Sequence, residues 1–133
     1  MKGGCTGPDM KPEEMAELFG KLADDKKAAD IVVMNLEGLT DIADYFVITS
    51  GTSERHVRTI ADGISEGVKE KKIRPAATEG YNEGRWVILD FQSVIVHIFL
   101  GPLRELYDLE SLWIEANKYR IQQENKDIEV GDE

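Results

Sequence analysis

The spacing of apolar positions changes several times along the chain, and each change marks an element. Met15, Leu18, Phe19 and Leu22 recur at i, i+3, i+4 and i+7 behind Pro12-Glu13-Glu14. Proline suits the first helical position and acids suit the positive end of the helix dipole, so a helix is predicted from Pro12 to Lys26 or Lys27. Ile31-Val32-Val33-Met34-Asn35-Leu36 is then apolar without alternation, the pattern of a central strand covered on both faces. Tyr45-Phe46-Val47-Ile48-Thr49-Ser50 is a second such run. Gly51-Thr52-Ser53 supplies a turn and an N-cap. Val57, Ile60, Ala61, Ile64 and Val68 return to helical spacing, with Lys69, Lys71 and Lys72 at the negative end. Gly63 and Gly67 each cost that helix about 1 kcal/mol relative to alanine, which predicts a close packing partner on their side.

The second half is richer in strands. Ala76 to Glu79 allows a short one before the turn cluster Gly80-Tyr81-Asn82-Glu83-Gly84. Arg85 to Phe91 and Val94 to Leu100 flank Gln92-Ser93, a link that admits only an antiparallel hairpin. Gly101-Pro102 opens a short helix carrying Leu103, Leu106 and Tyr107, followed by Leu109, Leu112 and Trp113. This order predicts an α/β (α+β) fold, a mixed β-sheet with helices packed on it. The expected organisation is a flexible leader over 1–11, one domain over 12–115, and an acidic, loose tail over 116–133. From Gln122 onward the chain has five acids, one lysine and no aromatic residue, too little to offset the entropy of ordering.

Length and charge narrow the function. A chain of 133 residues holds a single domain. Sixteen Lys and Arg against 26 Asp and Glu give a formal charge of −10, a field that repels phosphate backbones. Wide, direct nucleic-acid contact is therefore disfavoured, and a basic protein is the better partner. Cys5 alone cannot form an internal disulfide, which points to a reducing compartment, with the cytoplasm expected. The longest apolar runs are too short to span a membrane, and the leader has no secretory h-region.

Candidate chemistry is sparse. A helix N-terminus attracts anions, so Gly51-Thr52-Ser53 invites a phosphate-binding reading, but neither a Walker nor a Rossmann glycine pattern surrounds it. A plain N-cap explains the same residues. A small mixed α/β domain with Gly-Thr-Ser opening a helix also resembles the nucleotidyltransferases, whose chemistry needs two acids one residue apart on the following strand to hold magnesium. Asp127 and Glu129 have that spacing but lie in the tail. His56, His97 and Cys5 have no zinc-ligand spacing, and His97 on an apolar strand reads as a hydrogen-bonded structural histidine. Asp41, Asp44 and Asp90 read as turn or strand-end residues. No metal or other cofactor is expected.

Tyr81, Trp86, Tyr107 and Trp113 stand beside charged residues, among them Glu79, Glu83, Glu105, Asp108 and Glu110. They serve either edge-of-core packing or an acidic, aromatic interaction face. Collinear stretches of the chain then resemble the ribosomal silencing factor family, also called RsfS or Iojap: Ala29-Asp30-Ile31-Val32-Val33, Ala43-Asp44-Tyr45-Phe46-Val47-Ile48, Ser50-Gly51-Thr52-Ser53-Glu54-Arg55-His56-Val57, Glu79-Gly80, Arg85-Trp86-Val87-Ile88-Leu89-Asp90, Val94-Ile95-Val96-His97-Ile98-Phe99, and Arg104-Glu105-Leu106-Tyr107-Asp108-Leu109-Glu110-Ser111-Leu112-Trp113. The resemblance implies a nucleotidyltransferase-like fold without the catalytic metal site. It also implies a non-enzymatic factor that binds the large ribosomal subunit through ribosomal protein fourteen. Such a factor blocks joining of the small subunit, represses translation, takes part in large-subunit maturation, and is a homodimer when free. Carried residue by residue, the resemblance implies Trp86 and Tyr107 as anchors, with Glu79, Asp108 and Glu110 facing basic side chains. The competing reading is a nucleotide-binding or nucleotidyl-transferring enzyme built on Gly51-Thr52-Ser53.

Overall fold

The computed structural model describes residues 10–111 and 117–121. Helix α1 (Pro12–Asp25) starts at the predicted proline, and the Glu14 carboxylate accepts the Lys11 N–H at 3.3 Å. The chain then reverses through Lys27, at φ 62°, into strand β1 (Ala29–Asn35). Strand β2 (Tyr45–Gly51) leads to helix α2 (Glu54–Gly67), where Ser53 is the N-cap and its Oγ accepts the His56 N–H at 3.0 Å. A 3-10 turn (Lys69–Lys71) precedes strands β3 (Ala77–Glu79), β4 (Trp86–Asp90) and β5 (Val94–Leu100). Helix α3 (Gly101–Tyr107), a 3-10 turn (Leu109–Ser111) and strand β6 (Asn117–Arg120) complete the described chain.

The six strands lie in the order β3-β4-β5-β2-β1-β6. β2 and β5 run parallel, with Tyr45 opposite Val94 and Gly51 opposite Leu100, and the other neighbours pair antiparallel. The sheet is therefore mixed, as predicted. The hairpin link Gln92-Ser93 is as tight as expected, and the Asp90 carboxylate accepts the Gln92 N–H at 2.8 Å.

Alternation along the strands splits the apolar residues into two cores. Val33, Val47, Val87, Leu89, Val96 and Ile98 face α1 and α2, meeting Phe19, Ile60 and Ile64 there. Val32, Met34, Phe46, Ile48, Ile95 and Phe99 face the opposite way, joined by Leu36, Ala43, Leu103 and Leu109. A strand buried on both faces carries no polar alternation, which is why β1 reads as one apolar run. In the sheet, though, β1 stands second from an edge, and β5 and β2 occupy the middle. Gly63 and Gly67 do have a close neighbour, which is α1 with its C-cap residue Lys26. A Cβ on Gly63 would lie 2.7 Å from Lys26 Cγ, and one on Gly67 would lie 2.6 Å from Leu22 Cδ2.

One boundary needs correction. Asn117–Arg120, assigned on composition to a loose tail beginning at 116, is a strand paired antiparallel with β1, Asn117 opposite Asn35 and Tyr119 opposite Val33. The sheet therefore extends past residue 115. The remainder of the predicted tail, the leader up to residue 9, Leu112 and Trp113 lie outside the described residues. Among the described residues no helix is long and apolar enough to cross a membrane.

Candidate functional site

The second face of the sheet carries an aromatic cluster. Trp86 begins β4 and pairs with Phe99 on β5, so both rings rise from the same face, 4.9 Å apart between centroids. Leu100 leads directly into α3, and that short helix brings Tyr107 back over the cluster. Its ring lies 4.6 Å from Trp86 and 6.0 Å from Phe99. Phe99 is fully buried, Trp86 is half-buried and Tyr107 is 48 % exposed, so the stack runs from core to surface. Leu106, beside Tyr107, is 71 % exposed and extends the apolar surface. Stacked and tilted ring pairs at such distances add about 0.5–1.5 kcal/mol beyond area burial, which holds the exposed rings in a fixed arrangement. Rigid, partly exposed Trp and Tyr are the side chains that dominate binding energy at protein interfaces.

Behind Trp86 stands His97 of β5, 6 % exposed. The Trp86 indole Nε1–H donates to its Nδ1 at 3.1 Å. Burial pushes the imidazole pKa down to about 4, so His97 is neutral at physiological pH. The structural reading of His97 holds, and the partner that satisfies it is the predicted anchor.

The acidic residues named with the anchors are placed differently from one another. Glu79 is exposed at the end of β3, opposite Ile88, and so shares the face of Trp86. Asp108 caps α3 in the left-handed conformation, and its carboxylate accepts the Ser111 hydroxyl at 2.8 Å. Glu110 is half-buried and accepts from Arg104 Nε at 3.4 Å. Two of the three acids thus already serve the fold, and only part of their accepting capacity faces outward. Arg104 is itself buried, donating through Nη1 to the Asp30 carbonyl at 2.6 Å and to Ser50 Oγ at 3.1 Å. Around it Asp30, Ser50, Gly101, Glu105, Asp108 and Glu110 line a cleft of about 470 Å³. This cleft, beside the aromatic cluster and rimmed by acids, was not legible in the sequence, because Arg104 is brought to Asp30 and Ser50 by the parallel β2–β5 pairing.

Tyr81 does not belong to this face. It packs against the core on the α1/α2 side, and its hydroxyl donates to the Asp62 carboxylate at 2.9 Å, which raises the phenol pKa. The Gly51-Thr52-Ser53 turn is likewise spent within the fold. Its Thr52 N–H donates to His56 Nδ1 at 2.9 Å, Ser53 Oγ caps α2, and His56 Nε2 donates to the Lys26 carbonyl at 2.8 Å. A Cβ on Gly51 would lie 2.9 Å from Val57, so the turn sits tight against its own helix. The N-cap reading accounts for these residues. The Asp90 carboxylate serves the hairpin turn, and among the described residues no three His, Cys, Asp or Glu side chains converge as a metal-binding group.

Fold and site together define a small α+β domain whose distinctive surface is an aromatic cluster edged with acids. The family model described as "Ribosomal silencing factor during starvation" matches residues 9–132, and the chain belongs to that family. It is 39 % identical over 107 residues to the ribosomal silencing factor of Halalkalibacterium halodurans, covering 80 % of this chain and 92 % of that one. It is 34 % identical over 100 residues to the mouse protein named mitochondrial assembly of ribosomal large subunit protein 1, covering 73 % of this chain and 44 % of that one. The crystal structure of a Chromobacterium violaceum protein superposes with a TM-score of 0.77 at 28 % identity, covering 86 % of this chain and 97 % of that one.

Proposed function

We propose that this protein binds the large ribosomal subunit through ribosomal protein fourteen, on the face that meets the small subunit, and represses translation by blocking subunit joining. A contribution to large-subunit assembly belongs to the same reading, in keeping with the name of the mouse relative. The observation that carries it is the Trp86–Tyr107–Phe99 cluster, which offers rigid aromatic surface next to Glu79, Glu105 and the acid-rimmed Arg104 cleft. No chemistry is required of such a site. An interface of about 800 Å² per partner, with these rings at its centre and acids at its rim, suffices for tight binding. A chain of charge −10 meets the basic protein component of a ribosome more readily than its RNA, and electrostatic steering speeds that encounter at low salt. The protein acts in the cytoplasm and is a homodimer when free.

The test is cosedimentation of Trp86→Ala/Tyr107→Ala with purified large subunits, alongside light scattering of subunit joining. The double variant is expected to stay folded, to leave the large-subunit fraction and to lose inhibition of joining. Wild-type cosedimentation by the variant would remove the proposed face.

A further inference from the structure

His97 is a buried polar residue in a strand whose other members, Val94, Ile95, Val96, Ile98, Phe99 and Leu100, are apolar. An indole nitrogen only donates, so the bond from Trp86 Nε1 requires an unprotonated Nδ1 and places the imidazole proton on Nε2. That Nε2–H is shut away from solvent and has no hydrogen-bond partner among the described residues. The Phe46 ring lies 4.6 Å from the imidazole at 61°, the Phe99 ring lies 6.4 Å away, and Ile48 and Ile88 are its cross-strand neighbours, so the surroundings are otherwise apolar. An apolar side chain at this position would avoid leaving a buried donor unpaired. Among the described residues, the one polar service of the His97 side chain is to accept the indole N–H.

We propose that His97 is the positioning residue of the Trp86 anchor. Its Nδ1 selects the indole orientation in which Trp86 stacks on Phe99 and tilts against Tyr107, leaving one defined edge of the ring for a partner. Without the acceptor, Trp86 samples other rotamers, and apparent affinity falls by the fraction of molecules that keep the competent one. This rests on the reading of Trp86 and Tyr107 as the ribosome-binding face.

The test uses His97→Leu, which removes the acceptor, His97→Asn, whose Oδ1 takes the place of Nδ1, and Trp86→Phe, which removes the donor. In the wild type the Trp86 indole N–H, assigned in nitrogen-15 spectra by its loss in Trp86→Phe, is expected to exchange slowly. In His97→Leu that protection is lost and affinity for large subunits falls by about tenfold, while His97→Asn restores most of both. In the Trp86→Phe background His97→Leu has no further effect on affinity. An equal loss of affinity in both backgrounds, or an indole N–H that stays protected in His97→Leu, overturns the proposal. If His97→Leu does not fold, the comparison is made with His97→Asn, and an Asn variant without indole protection counts against it. Should Trp86→Ala bind large subunits normally, the binding face is wrong, yet the exchange measurement still decides whether His97 positions the indole.

Discussion

Arg104 offers a sharp test of how α3, and with it Tyr107, is anchored to the sheet. Replacing it by methionine keeps most of its volume and removes its charge and donors. Two bonds are lost, Nη1 to the part-buried Asp30 carbonyl and to the buried Ser50 Oγ, each contributing about 1.5 kcal/mol. The Nε contact with Glu110, at 3.4 Å to a partly exposed carboxylate, adds a few tenths of a kcal/mol. Against this, the variant no longer buries Nη2, which has no partner among the described residues, and relief of that penalty returns about 1–2 kcal/mol. Because the Asp30 carboxylate is 61 % exposed, removing the guanidinium strands no buried anion there, and the larger penalty of a broken buried pair does not apply. The net expectation is a loss of about 2 kcal/mol, read as a lower urea midpoint at unchanged m-value. Arg104→Lys should lose at least as much, since one ammonium cannot span the same acceptors and still buries a charge. A midpoint equal to or above the wild type for Arg104→Met would show that the guanidinium contributes no net stability and would refute the reasoning.

The pH dependence of stability should carry the mark of His97. The folded pKa, about 4, lies below the ordinary 6.5, so between those values the unfolded chain binds a proton that the native protein does not. Its contribution is present in full above pH 6.5 and is lost as pH falls toward 4, by about 3 kcal/mol at the limit. Denaturation curves at pH 7 and pH 5 should therefore converge for His97→Asn relative to the wild type, and an unchanged difference would contradict this. Gly63→Ala should raise the melting temperature, because Lys26 is a flexible chain that can move aside while the helix gains about 1 kcal/mol. Gly80→Ala should lower it clearly, since φ there is +77° and a Cβ would strike the Trp86 carbonyl oxygen. Both are read by calorimetry, and a reversal of sign at either position would show the packing to be misjudged.

Elements set by local chemistry were legible in the sequence, and those set by distant pairing were not. α2 announces itself through Ser53 and a regular apolar stripe, and the β4–β5 hairpin through its two-residue link. Nothing local shows that β2 lies beside β5, so neither the sheet order nor the Arg104 cleft could be read. β6 was missed because Asn-Lys-Tyr-Arg has no strand pattern of its own; its place comes from backbone pairing to β1. At the site, Trp86 and Tyr107 were legible as exposed-edge aromatics and meet in space. Tyr81 has the same local character but follows Gly80, whose positive φ turns the chain toward α2. The bond between His97 and Trp86 did have a signal. Closing the hairpin at Gln92-Ser93 sets Trp86 opposite Phe99 and thus diagonal to His97, within reach of long side chains.

Strand β6 also bears on how the chain is made. β1 is among the first strands synthesised, yet the residues that cover its outer edge come from near the C-terminus, with Asn35 waiting for Asn117. Until then a nascent or truncated chain presents the backbone of Ile31 to Met34 unpaired, an apolar strand edge of the kind that templates aggregation. β2 likewise waits for β5 across α2, β3 and β4, so two of the five strand pairings are non-local and slow to close. A chain cut before Asn117 would thus fail first as a misassembled sheet, with its aromatic face still intact in sequence.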